Sequence, residues 1–266
     1  MKVIALGMGM QSTALYLMSS MRLFERADVA IFSDPMAEHP DTYKIVDWLL
    51  KWEKECADAI PIHIVKKSII KDILKGKNTK GKKMVSLPLY VDTKKKGGGI
   101  MRRQCTYDYK INPVQQKVRE LYGLKPRQKM PMTEMWLGIT IDEAQRMKDS
   151  MSPRTKNRYP FMELNMNRGD CMNFMRESNY PIPRKSSCIF CPYSPDTTWI
   201  DIKTNKPNVF NIATKIDKKI RNCMETRREN NPAYLHRSMK PLEEVVFKHE
   251  DQIDMFGNEC EGHCGL

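Results

Sequence analysis

Residues 2–13, KVIALGMGMQST, pass from a short apolar run through Gly7 and Gly9 to Gln11, Ser12 and Thr13 at the start of a helical pattern. This is the layout of a phosphate-binding turn. Glycines let backbone N–H groups approach an anion, the following helix N-terminus adds partial positive charge, and the Ser12 and Thr13 hydroxyls can donate to phosphate oxygens. The dinucleotide signature G-x-G-x-x-G stops short here, and the Walker signature G-K-[ST] is absent. Cysteines are the second source of chemistry. Cys188-x-x-Cys191-Pro lies late in the chain, and Cys260-x-x-x-Cys264 closes it. A C-x-x-C pair suits zinc, an iron–sulfur cluster or a redox couple, and two pairs together suit a structural Cys₄ zinc site that leaves Cys105 out. His263 next to Cys264 is a group that depresses a thiol pKa. Cys56, Cys171 and Cys223 fall within helical patterns and read as core or surface residues.

Charge gives a third feature. The net charge is +13, and residues 66–103 hold eleven lysines and two arginines against only Asp72 and Asp92. One reading is a solvated loop, with the Lys94–Gly99 stretch KKKGGG as its tip. The other is an arm for a polyanion. If about six of these side chains neutralised phosphates, affinity would fall with salt at a log–log slope of about −5.

These residues need a scaffold, and 266 residues with 41% hydrophobic content suffice for a full α/β core. Residues 2–6 and 28–33 are short, apolar and β-branched, and flank a helical pattern, which predicts a βαβ opening and a parallel sheet. Residues 40–57 begin with Pro, carry acids early and repeat apolar positions at helical period, so they form a helix. Residues 60–65 and 134–140 read as the third and fourth strands, with a short charged helix from Asp142. Residues 108–123 read as helical, at least after Pro113, and 208–229 as a long helix. Between 66 and 104 no strong pattern stands out, and beyond 150 proline-rich irregular stretches alternate with helical pieces. The expected fold class is α/β, a mostly parallel sheet flanked by helices. The expected domains are residues 1–150, with 66–104 as a basic insertion, and a helical, cysteine-bearing region over 151–266. No apolar run reaches the roughly 18 residues of a membrane span. The first apolar run leads into a glycine turn in place of a cleavage site, so no signal peptide or membrane partner is expected. A cytoplasmic location follows, where cysteines serve as ligands, reactive thiols or core residues more than as disulfides.

Four ordered stretches carry a resemblance. IFSDPMAEHPDTY (31–43) resembles the second motif of the PP-loop, or N-type ATP pyrophosphatase, superfamily, and most closely its phosphoadenosine phosphosulfate and adenylylsulfate reductases. Asp34, Pro40, Asp41 and Thr42 stand in the matching places, while Pro35 and Met36 depart. RQCTYDYKINPV (103–114) is similar to those reductases' C-C-x-x-x-K-x-x-P-L through Cys105, Lys110 and Pro113, with Thr106 replacing the second cysteine. WLGITIDEAQRM (136–147) resembles the stretch that closes over the nucleotide, with Gly138, Glu143 and Arg146 as counterparts. The family's S-G-G-x-D-S corresponds to Gly7-Met8-Gly9-Met10-Gln11-Ser12. The likeness covers about residues 2–147, and SSCIFCPY extends it to about 193.

The resemblance implies a HUP/PP-loop-like fold and an adenine nucleotide, ATP or adenylyl (phospho)sulfate, held by Gly7, Gly9, Gln11, Ser12, Thr13, Asp34, Thr42, Gly138 and Arg146. Arg102, Arg103 and Lys110 would hold anions. Gln11 replaces the aspartate of ATP-splitting members, and a neutral amide does not bind Mg²⁺ as a carboxylate does. Adenylate binding is therefore implied, while ATP cleavage and Mg²⁺ stay open. Cys105, Cys188 and Cys191, with Cys260 or Cys264 as fourth ligand, would hold a [4Fe–4S] cluster, or the fourth iron would be open to sulfide; zinc is the alternative metal. By likeness to the reductases' terminal E-C-G element, Cys264 would be the nucleophile and Cys260 a resolving thiol. Two substrates fit the family: adenylyl sulfate or phosphosulfate, reduced with a thiol reductant, or a nucleic-acid base, adenylated and then given sulfur from a donor. The basic arm at 66–103, reaching tRNA or DNA, and Tyr193 and Trp199 as stacking residues favour the second. Gln11 and the terminal CGL favour the first. A non-catalytic regulatory or nucleic-acid-binding protein with structural zinc is a third reading.

Overall fold

The computed structural model describes residues 1–76, 87–91, 99–224 and 232–248, with the backbone alone at 223 and 224. The chain begins β1 (Lys2–Ala5), α1 (Met10–Ser20), β2 (Val29–Asp34), α2 (Pro40–Glu55) and β3 (Ile62–Lys66). It continues through α3 (Ile69–Lys75), β4 (Tyr90–Val91), β5 (Gly99–Ile100), a π-helical turn at Tyr107–Ile111 and α4 (Asn112–Leu121). Then come β6 (Thr133–Trp136), a 3₁₀ turn at Ile141–Arg146, β7 (Thr155–Arg158), α5 (Pro160–Glu163) and α6 (Arg168–Glu177). The last described elements are α7 (Asp196–Asn205), α8 (Pro207–Met224), β8 (Ala233–Tyr234) and a 3₁₀ turn at Leu242–Glu244.

Contacts divide the described chain into two compact units. The first comprises Met1–Lys67 and Thr106–Ser186; the second comprises Ser68–Cys105 and, from the later chain, residues 187–248.

The first unit is an α/β layer structure. Its five-stranded sheet has the order β3-β2-β1-β6-β7, and every pairing is parallel. Alternate residues of each strand feed two cores. Ile4, Ala30 and Phe32 pack with Ala14, Leu15, Leu17 and Leu49 of α1 and α2 and with Cys171 and Met175 of α6. Val3, Ala5, Val29 and Ile31 pack on the other face with Val114 and Val118 of α4. Burial on both faces explains why the strands read as continuous apolar runs. Helix α2 starts where Pro40 fixes the first turn and His39 Nδ1 accepts the Asp41 N–H at 3.2 Å.

Two expectations change. The fourth strand ends at Trp136, because the chain turns tightly at 137–139, where the Ile139 N–H reaches the Leu137 carbonyl at 2.9 Å. The fifth strand, Thr155–Arg158, lies in a stretch without strand patterning; it is a polar edge strand that pairs on one side only. Among the described residues no helix is long and apolar enough to cross a membrane.

The second unit has a small antiparallel sheet, β5-β4-β8, together with α3, α7 and α8. Its interior includes Ile69, Ile73, Leu89, Trp199, Phe210, Ala213, Ile216, Ile220 and Leu235. Helix α3 and strands β4 and β5 lie in the basic stretch, where their two to seven residues are too short to carry a period. Residues 225–229 of the expected long helix lie outside the described residues, as do most of the basic stretch and the terminal Cys260, His263 and Cys264.

Candidate functional site

In the first unit the strand order reverses between β1 and β6. The chain moves outward from β1 to β2 and β3, then returns to the other side of β1 as β6. In open parallel sheets the crevice outside the carboxyl ends of such strands is where ligands bind. The glycine turn stands at the end of β1. The Gly7 N–H donates to Ser12 Oγ at 3.2 Å, and that hydroxyl donates to the Gly9 carbonyl at 3.1 Å, so Ser12 braces the turn. Met8 takes a left-handed backbone, φ 58°, at the place where the PP-loop pattern has glycine. Gly9 is the N-cap of α1 and supplies no side-chain cap, and a Cβ there would meet nothing within 4 Å. The first N–H groups of α1 have no partner inside the helix by geometry, and Gly9 gives them no side-chain cap.

From β6, Gly138 closes on this turn. A Cβ on Gly138 would lie 2.9 Å from the Gln11 carbonyl carbon and 2.9 Å from the Ser12 nitrogen, so only glycine fits. Just beyond it, Gln11 Nε2 donates to Thr140 Oγ1 at 3.1 Å and to Glu143 Oε2 at 2.6 Å. Glu143, 3% exposed, also pairs with Arg146 at 2.7 Å. The Gln11 amide is thus bound to a carboxylate supplied by the 3₁₀ turn that follows β6. Thr13 Oγ1 and Thr42 Oγ1 are buried and have no hydrogen-bond partner among the described residues.

A second constellation forms beyond β2. Asp34 Oδ1 accepts from the Met36 N–H at 2.7 Å and from Tyr43 Oη at 2.9 Å. Burial, and then the Asp34 carboxylate, push the Tyr43 hydroxyl well above the usual phenol range. Glu38, with its side chain fully buried, pairs with Lys110 at 2.9 Å and accepts from Ser186 Oγ at 3.0 Å. Arg184 lies 2.7 Å from His39 Nε2 and 3.6 Å from Asp41.

The structure therefore brings Gly7, Gly9, Gln11, Ser12, Gly138 and Arg146 together at the switch point, and puts Asp34 and Thr42 at the end of β2 and the start of α2. Lys110 has a carboxylate partner. Sequence reasoning missed Glu38, Thr140, Tyr43, Arg184 and Ser186. Glu38 stands inside the quoted motif, but its pairing with Lys110 depends on the fold; Arg184 and Ser186 carry no local signal.

In the second unit, Arg102 is exposed and the Arg103 guanidinium lies 5.7 Å from the centre of the Tyr193 ring. Trp199 is fully buried and stacks on Phe247, so it is no platform for a base. Cys188 and Cys191 bracket a turn closed by the Cys191 N–H to the Cys188 carbonyl at 3.0 Å, and Cys105 belongs to the same unit. Among the described residues no group of three or more His, Cys, Asp or Glu is arranged to hold a metal ion, so the described thiols do not by themselves make a cluster cage. Cys260 and Cys264, assigned above as ligand and nucleophile, lie outside the described residues. No known protein family matches the sequence, and no curated protein does.

Proposed function

We propose that the first unit is an adenine-nucleotide-binding domain of PP-loop type and that the chain works in sulfur chemistry on an adenylylated sulfate or a related adenylate. The observation that carries this reading is the glycine turn at the switch point, held against Gly138 by backbone packing that excludes even a methyl group. The N-terminus of α1 offers backbone N–H groups to a phosphate, and Arg146 joins Gln11 through the carboxylate of Glu143. Gln11 brings no charge to the turn. The carboxylate beside it is Glu143, already engaged by Gln11 and Arg146, so the backbone of the helix end is what answers the anion.

In the reductive reaction, adenylyl sulfate and two thiols give AMP, sulfite and a disulfide. The sulfur accepts two electrons, and the phosphate leaves as AMP. Cys264, by resemblance, is the first thiol and Cys260 or an external thiol the second. Thiolate ligation of iron–sulfur or zinc by Cys105, Cys188, Cys191 and Cys260 belongs to the same proposal, and no step is routed through it. A second, non-catalytic reading is favoured by one feature: Lys110 and Arg146 already have carboxylate partners in Glu38 and Glu143, which suits holding a nucleotide more than turning it over.

Anaerobically purified protein, mixed with adenylyl sulfate or phosphoadenylyl sulfate and a thiol, separates the two. Release of sulfite with an equal amount of AMP, or of adenosine 3′,5′-bisphosphate from the phosphorylated substrate, lost in Cys264→Ser, is the expected result. Nucleotide binding with no sulfite at any thiol concentration would select the non-catalytic reading. Iron, sulfide and zinc contents of wild type and Cys105→Ser, measured on the same preparation, identify the metal.

A further inference from the structure

We infer that the solvent face of α8 is a docking surface for double-stranded DNA. The helix is amphipathic in an unusual sense. Its inner face is apolar, with Phe210, Ala213, Ile216 and Ile220 buried. Its outer face carries Asn208, Asn211, Lys215, Lys218 and Asn222, all exposed and spaced three or four apart, so they form one stripe along the helix.

No carboxylate interrupts that stripe. The only acid in α8 is Asp217, 1% exposed, and it is turned inward. There it pairs with Arg221 and accepts the N–H groups of Leu235 at 3.2 Å and Leu242 at 3.0 Å. The negative charge is spent tying α8 to β8 and the last 3₁₀ turn, and the positive charge is left outside. The wider unit agrees. Its described residues hold thirteen Lys and Arg against six Asp and Glu, and Asp196 as well as Asp217 is buried. Helix α3, which packs on α8 in this unit through its buried Ile69 and Ile73, turns Lys71 and Lys75 outward.

Three partners attract a basic helix: an anionic membrane, an acidic protein or a nucleic acid. Among the described residues of α8, Ile212 is the one large apolar side chain that is exposed, so there is no stripe to enter a bilayer. Asn recurs at three of the five stripe positions, and the amide's paired donor and acceptor match the adenine edge, a recognition an acidic protein does not offer. Eighteen residues give a rod about 27 Å long and about 10 Å wide, which the major groove of B-form DNA admits and the narrow major groove of RNA does not. The inference stands whether or not the nucleotide reading does.

Fluorescence anisotropy of the full chain with a labelled DNA duplex about three helical turns long tests it, titrated at salt between about 50 and 200 mM. Wild type is expected to bind with a steep salt dependence. Lys215→Gln/Lys218→Gln, which keeps helix propensity, is expected to bind about tenfold more weakly at low salt, with the log–log slope reduced by about 2. Lys44→Gln/Lys51→Gln, exposed lysines on α2 of the first unit, should leave affinity within about twofold. Circular dichroism of all variants confirms that they fold. The inference is overturned if the α8 pair binds as wild type does, if the α2 pair weakens binding equally, or if duplex RNA or anionic vesicles bind more tightly than DNA.

Discussion

Met8 holds a left-handed backbone with its side chain 1% exposed, so the turn at the end of β1 takes a glycine's geometry without a glycine. Such a backbone costs an L-residue on the order of 1 kcal/mol, and burial of the Met8 side chain in the core offsets it. Gly138 shows the opposite case, where the residue type is obligatory because backbone atoms lie 2.9 Å from any Cβ. Both residues were visible in the sequence as parts of motifs, yet which of them needed to be glycine was not, since that depends on a close approach between segments over a hundred residues apart. Cys171 is legible in the reverse sense, as a helical-pattern cysteine with no chemistry. It is fully buried, and desolvation pushes its thiol from 9.0 up to about 12. The folded protein therefore resists its ionisation. Stability from this group is complete below the unfolded thiol's pKa and declines as pH rises toward 12, by up to about 1.4 kcal/mol per pH unit. Urea titrations at pH 8 and pH 10 should show a loss that is smaller in Cys171→Ala, and iodoacetamide at pH 8 should reach Cys171 only after unfolding. Rapid alkylation of the native protein at this residue would contradict its burial.

At the scale of elements, β1 and β2 were readable because strands buried on both faces are largely apolar, and β3 and the start of β6 because short apolar runs stand in them or beside them. β7 was not, because its sequence, TKNR, is polar and its partner lies on one side. What secures it is Arg158. The guanidinium grips Glu163 through two 2.8 Å hydrogen bonds, pairs with Glu25 and lies 4.8 Å from the centre of the Trp136 ring on β6. Arg158 is the main cause of the lowered Glu163 pKa, and Lys2, followed by Arg158, lowers that of Glu25. Carboxylates with lowered pKa contribute stability that is present above the unfolded carboxylate range and lost as pH falls through their folded values. Arg158→Ala should lower stability at pH 7 by about 1–2 kcal/mol, from the lost ring contact and half-exposed ion pairs. The deficit should shrink below about pH 4 without vanishing. A pH-independent deficit in urea melts would assign the effect to ring packing alone.

Across the whole molecule, the sequence supported an α/β fold with a separate later region, but divided the chain near residue 150, whereas the compact units exchange segments at 68–105 and 106–186. The second unit is assembled from residues 68–105 and 187–248, pieces of chain far apart in sequence, and its strands are two residues long. Neither local period nor composition announces such a unit. The candidate site was better served. Its glycines, Gln11, Asp34 and Arg146 lie in contiguous motifs, whereas Thr140 and Glu38 enter through contacts that only the fold creates. The central claim, that the switch-point crevice binds an adenine nucleotide, is tested most directly by isothermal titration of the full chain with adenylyl sulfate and with ATP, in EDTA, for wild type and Gly138→Ala. Saturable binding of one nucleotide per chain, weakened at least about tenfold by a methyl group that must displace Gln11 and Ser12, is the expected result. No binding of either nucleotide, or equal binding by a folded Gly138→Ala, would contradict it.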